Sequence, residues 1–350
     1  MNQRMLVETA QALVSRGRGL LAMDESNSTC NKRFATAGIP QTVEMRRAYR
    51  ELIVTTPGLG QCVSGAILYD ETIRQHDSTG VLLLDRLVEV GIIPGIKVDR
   101  GAKPLALHSG ETVTEGLDGL RERLAEYAAM GARFAKWRGV ISLGDGRPSR
   151  GCIAANAQAL ARYAPLCQEA GLVPIVEPEV LMTGGHGIER CMAVTEAVLR
   201  AVFEALANQG VVLEAVILKP NMVLPGLTCP DQSTVEDVAE ETVQCLLRCV
   251  PAAVAGIAFL SGGQPGELAS ARLDAINLIA RGGRGRTPWP LVFSFGRAIQ
   301  QPALTIWHGK DAQVGAAQRA LYHRAECNLA ALRGDYTQAM ETSPTLRRAS

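Results

Sequence analysis

Eight short runs of β-branched and apolar residues, about forty residues apart with helix-patterned segments between them, constrain this chain more than any other feature. They are GLLAMD ending at Asp24, VSGAILYD at Asp70, GIIPGIKVD at Asp99, RFAKWRGV at Val140, LVPIVEPEV at Val180, AVILKPNMV at Val223, GIAFLSGG at Gly263 and PLVFSFGRA at Ala298. Regular strand–helix alternation of this kind builds a parallel sheet whose faces are covered by helices. The helical segments TEGLDGLRERLAEYAAMGA, ANAQALARYAPLCQEAG and STVEDVAEETVQCLLRCV each carry an apolar stripe and a charged far face. A doubly wound open sheet alternates in the same way. Its first turn should offer G-x-G-x-x-G, and AMDESNSTCN stands there instead. Charged residues at the carboxyl ends of so many strands favour closure, because a closed (β/α)8 TIM barrel gathers its chemistry on that face. The fold expected is a single α/β barrel over residues 1–336 with an extra amphipathic N-terminal helix, followed by a flexible C-terminal tail, 337–350. RGGRGRTPWP, before the last run, reads as a loop.

Composition removes several function classes. Thirty-six basic and 35 acidic residues leave a formal charge of +1, so no global field draws in nucleic acid or an anionic membrane. The first residues carry polar and acidic side chains within their apolar spacing, the pattern of a helix in a cytoplasmic protein rather than of a signal or a membrane span. Nine scattered cysteines are read as buried, reduced thiols. His76, His108, His186, His308 and His323 are widely spaced, with no H-x-H or H-E-x-x-H, so no zinc site and no cofactor is expected. A Mg²⁺ ion held by Asp and Glu stays open at this stage.

Lysine placement points to chemistry. Only six lysines occur, Lys32, Lys97, Lys103, Lys136, Lys219 and Lys310, and arginine supplies the other cations. Arginine cannot act as an amine nucleophile, whereas a lysine in an apolar run can lose its proton and attack a carbonyl. The strand ends collect Asp24, Lys97, Lys136, Arg138, Glu177, Glu179, Lys219, Ser261 and Arg297. Any one of these alone reads more readily as a structural ion pair than as a functional group; their convergence on one barrel face is what marks a site. Lys136 and Arg138, two apart on one strand, share a face, as do Glu177 and Glu179. Inward-facing cations and carboxylates then meet across the mouth, where they tune one another for proton transfer. Ser261-Gly262-Gly263 and Gly296-Arg297, after the seventh run and at the end of the eighth, suit a phosphate, although glycines there are also ordinary turn residues. Ser26 and Thr29, with Lys97 and Arg138, offer a second anion site across the mouth, and Glu179 and Gly263 line the same substrate space. Two anion sites flanking a lysine call for an elongated substrate with a phosphate at each end and a carbonyl between.

The motifs LAMDES, GIKVDRG, FAKWR, VPIVEPE, ILKPNMV, FLSGGQ and SFGRA, in this order from about Leu6 to Tyr336, resemble class I fructose-1,6-bisphosphate aldolase. The resemblance implies a metal-independent lyase that cleaves a sugar bisphosphate through a lysine Schiff base. It makes Lys219 the Schiff-base lysine and Asp24 the acid/base at the sugar hydroxyl, with Glu177 and Lys136 assisting dehydration and proton transfer. It places Ser261, Gly262, Gly296 and Arg297 at one phosphate and Ser26, Thr29, Lys97 and Arg138 at the other, and it implies a homotetramer. A transaldolase-like transferase would share the lysine but not both phosphates, and a silent barrel scaffold would need none of these side chains. The chain departs from animal and plant members, whose last residue is a functional tyrosine: it ends SPTLRRAS, and its last tyrosine is Tyr336.

Overall fold

The computed structural model describes residues 3–15, 17–282 and 286–342. Its strands are β1 (Gly19–Ala22), β2 (Val63–Leu68), β3 (Ile93–Lys97), β4 (Ala102–Pro104), β5 (Thr112–Thr114), β6 (Phe134–Ile141), β7 (Val173–Val180), β8 (Ile217–Leu218), β9 (Gly256–Phe259) and β10 (Leu291–Phe295). Eight of them close a parallel barrel in the order β1-β10-β9-β8-β7-β6-β3-β2, and each coincides with one of the eight apolar runs. The antiparallel hairpin β4–β5 lies outside the barrel and was not foreseen. Strand β8 is short because Pro220, which has no N–H to donate, follows Lys219 directly. The backbone nevertheless stays in line: Lys219 N–H donates to the Val176 carbonyl at 2.8 Å, and the Pro220 carbonyl accepts from Leu260 N–H at 3.1 Å.

The amino end of the barrel is an apolar plug. Phe134 of β6 is fully buried and lies where a side chain on Gly95 of the neighbouring β3 would have to go. The predicted N-terminal helix, Gln3–Val14, seals this end by burying Leu6, Ala10, Leu13 and Val14. A Cβ on Gly256 would stand 2.8 Å from Val14, so glycine is required for that approach. Outward residues of the same strands meet the helices. Trp137, for example, packs on Tyr163, ring centroids 5.6 Å apart, from the helix Arg150–Glu169.

All nine cysteines are free thiols, Cys229 and Cys249 half-buried and the others buried. Of the predicted loop 281–290, residues 283–285 lie outside the described residues, and Trp289 is tucked against the Pro251 carbonyl by an Nε1 hydrogen bond of 2.8 Å. Most of the predicted tail, 343–350, also lies outside them. Its first residues form a 3-10 turn, Gln338–Thr342, tied back by an ion pair between Glu341 and Arg324. No helix among the described residues is long and apolar enough to cross a membrane.

Candidate active site

A cleft of about 1030 Å³ opens at the carboxyl ends of the strands, and every residue singled out at the strand ends lines it. Lys136 and Arg138 share the inward face of β6, and Glu177 and Glu179 that of β7, with Arg138 in register with Glu177. At the cleft floor the charges form a chain. Lys219 Nζ lies 2.8 Å from Glu177 Oε1, Lys136 Nζ lies 3.0 Å from Glu177 Oε2, and Lys136 Nζ lies 2.7 Å from Asp24 Oδ2. The contact of Oε2 with Lys136 is an ion pair that lacks hydrogen-bond alignment, so this oxygen keeps a lone pair free for another partner. All four side chains are buried, Lys219 at 4% exposure.

Burial and charge oppose one another here. Burial disfavours the Asp24 carboxylate, but Lys136 and Lys219 more than offset it and hold the pKa down at about 2. Burial likewise works against charge on Lys136, and Asp24 and Glu177 overcome it, so its pKa is raised and it stays an ammonium. Glu177 is desolvated too, yet Lys136, Lys219 and Arg138 keep its pKa below the ordinary value. Two carboxylates are thus held ionised although buried, each against an ammonium.

Two ends of the cleft suit anions. At one, Gly262 and Gly263 adopt left-handed backbone, φ 61° and 95°, after β9, and Gly296 precedes the helix Arg297–Trp307, whose first residue lines the same space. A glycine loop beside a helix N-terminus presents N–H groups and a positive dipole to an anion. At the other end, Ser26 caps the helix Asn27–Thr36 by accepting from Thr29 N–H at 3.3 Å, which brings Ser26 and Thr29 to the mouth. Lys97 is held by Asp99, and Arg138 pairs with Glu179, so both cations are preset by carboxylates. Sequence reasoning passed over Asp99, which also accepts from Arg138 N–H at 3.2 Å, and Lys32 and Arg33, which line the same cleft. Helical spacing from Thr29 carried the signal for the last two, since i+3 and i+4 share a face.

The far end is anchored from behind. Glu71, just after β2, accepts from Asn27 Nδ2 at 2.8 Å and pairs with Arg46 at 2.7 Å and with Arg50, joining the Ser26 helix to the helix Val43–Val54 that precedes β2. Among the described residues one group of potential metal ligands lies elsewhere: His323, Cys327 and Glu341. There Arg324 occupies both Glu341 oxygens and Tyr336 Oη donates to one, so the carboxylate's charge is already matched.

A family model described as Fructose-bisphosphate aldolase class-I matches residues 5–348. A probable fructose-bisphosphate aldolase class 1 of Xanthomonas axonopodis pv. citri is 56% identical over 335 residues, 95% of this chain and 98% of that protein. The chain belongs to the class I fructose-bisphosphate aldolase family. Within that family it is also 49% identical to the cytosolic fructose-bisphosphate aldolase 4 of Arabidopsis thaliana, across 95% of this chain and 83% of the relative. A solved fructose-bisphosphate aldolase of Plasmodium falciparum, in complex with TRAP and a small-molecule inhibitor, superposes with a TM-score of 0.92 at 48% identity, covering 95% of both chains.

Proposed function

We propose that this class I aldolase reversibly cleaves fructose 1,6-bisphosphate to dihydroxyacetone phosphate and glyceraldehyde 3-phosphate, with Lys219 as the Schiff-base lysine. One observation carries the assignment: a single buried carboxylate, Glu177, touches two lysines, and Asp24 lies beyond the second. An amine must be neutral to attack, and Glu177, 2.8 Å away, takes the proton from Lys219. Nζ adds to the C2 ketone. Glu177 then protonates the carbinolamine oxygen, which departs as water and leaves an iminium. As the C3–C4 bond breaks, its electron pair flows toward the iminium nitrogen and the Asp24 carboxylate accepts the C4 hydroxyl proton. Glyceraldehyde 3-phosphate leaves and Asp24 returns its proton to solvent; Glu177, a carboxylate since the dehydration, takes up a proton from solvent and delivers it to C3 of the enamine, and addition of water to the resulting iminium releases dihydroxyacetone phosphate and frees Lys219. Lys136 stays charged throughout and keeps both carboxylates ionised at rest.

In this reading Ser261, Gly262, Gly263, Gly296 and Arg297 hold the phosphate next to the ketone. Ser26, Thr29, Lys97 and Arg138 hold the far one, and Glu179 restrains Arg138 until substrate arrives. Two anion-suited ends favour a bisphosphate over the substrates of a transaldolase-like enzyme. The proposal includes residues 1–336 as the catalytic domain with 337–350 as a tail, a homotetramer, and a cytoplasmic location like that named for the Arabidopsis relative. Borohydride reduction in the presence of dihydroxyacetone phosphate, followed by peptide mapping, tests the core of it. The label is expected on the peptide containing Lys219 and absent from Lys219→Arg, with activity surviving exhaustive EDTA treatment. Label on Lys97 or Lys136 would overturn the assignment.

A further inference from the structure

Behind the loop that follows β9 lies a charge that takes no part in the proposed reaction. Arg272, on the helix Gly266–Arg281, is 5% exposed. Among the described residues its guanidinium makes one hydrogen bond, from Nη1 to Gln264 Oε1 at 2.8 Å, and Nε is buried with no partner. Burial lowers its pKa, with no carboxylate pulling the other way. A desolvated cation without a counter-charge is destabilising, so its position needs a reason.

Gln264 supplies the link to the site. Its Nε2 and its backbone N–H both donate to the Ser261 carbonyl, each at 3.0 Å, closing the turn through Gly262 and Gly263. The Gly262 and Gly263 N–H groups meet no protein acceptor among the described residues, and both glycines line the cleft. An amide has two flips. With Oε1 facing Arg272, Nε2 must face Ser261, so the arginine selects the flip that closes the turn.

We propose that Arg272 is a positioning residue for the anion end of the mouth: it fixes Gln264 and through it the Ser261–Gly263 loop. This rests on reading that loop as a phosphate site. The test uses the full chain and follows fructose 1,6-bisphosphate cleavage, competitive inhibition by inorganic phosphate, and thermal unfolding in Arg272→Met, Arg272→Lys and Arg297→Ala. Arg272→Met is expected to raise both KM and the phosphate inhibition constant about tenfold while kcat changes much less. Its melting temperature should match or exceed the parent's, because an apolar side chain relieves an unpaired buried charge. Arg272→Lys should recover part of the phosphate affinity by keeping a donor to Gln264 Oε1. Unchanged KM and inhibition constant in Arg272→Met, whether or not stability falls, would overturn the proposal while leaving the loop's assignment intact if Arg297→Ala still weakens phosphate. If Arg297→Ala leaves phosphate binding unchanged, the phosphate reading of this end fails and the proposal with it. Should Arg272→Met not fold, Arg272→Gln is read by the same criteria.

Discussion

The two ends of this barrel are built on the same strands and solve opposite problems. On β6, Phe134 points into an apolar floor, while Lys136 and Arg138, two and four positions further on, point into the cleft. At the amino end the interior fills by shape: Gly95 yields its side-chain space to the Phe134 ring, and Leu13 and Val14 of the N-terminal helix fill what remains. At the carboxyl end it fills by charge: Lys219, Glu177, Lys136 and Asp24 occupy a space that apolar side chains would pack without desolvation. The contrast teaches where each property of the molecule resides. Packing at one end supplies stability that the reactive end, with its buried ions, gives up in part.

Replacing Glu177 by Gln strikes the reactive end hardest. It removes the proton carrier of Lys219 and leaves two buried ammonium groups facing a neutral amide. Cleavage is expected to fall about a thousandfold, with a concurrent stability loss of about 3 kcal/mol in urea unfolding. A variant that loses activity while gaining stability would show that this end is costlier to the fold than the ion-pair geometry implies.

Gly95→Val perturbs the other end alone. An added branched side chain collides with the Phe134 ring, and overpacking there should cost about 2–3 kcal/mol. Because the collision lies below the reacting groups, kcat of the folded fraction should stay within twofold or so of the parent. A large fall in kcat at full folding would mean that the two ends are mechanically coupled.

The smallest expected effect is in acid. Asp24 is depressed from an ordinary value of 3.8 to about 2 in the folded chain. Its contribution is therefore fully present above pH 3.8 and is lost as pH falls toward about 2. That contribution is about 2 kcal/mol, and Asp24→Asn should flatten the stability profile across this window. An unchanged acid profile would place the ion-pair energy of the floor in Glu177 alone.

Sequence carried much of this, unevenly. The eight runs were legible because strand patterning is local, and strand alternation paired Lys136 with Arg138 and Glu177 with Glu179 on common faces. The hairpin β4–β5 was missed because its two strands are three residues each, too short for periodicity to register. Asp99 was legible only as a strand end; its bond to the Arg138 N–H joins a run to the next one, which no spacing rule within a run can predict. Lys32 and Arg33 were hidden by a helix that begins inside what reads as a loop.

By itself the sequence determined the strands, their order and the inventory of reactive side chains at their carboxyl ends, since these follow from backbone alternation and residue identity. Partnership was decided only by tertiary structure. Asp24 belongs to the loop after β1 and Lys136 to β6, strands that are not neighbours in the sheet, and their 2.7 Å contact exists only because the barrel closes. The same closure sets Glu177 between two lysines and buries Arg272 behind the Ser261 loop. Those charges act as they do because they are buried against one another, and that burial belongs to the folded whole rather than to any segment of the chain.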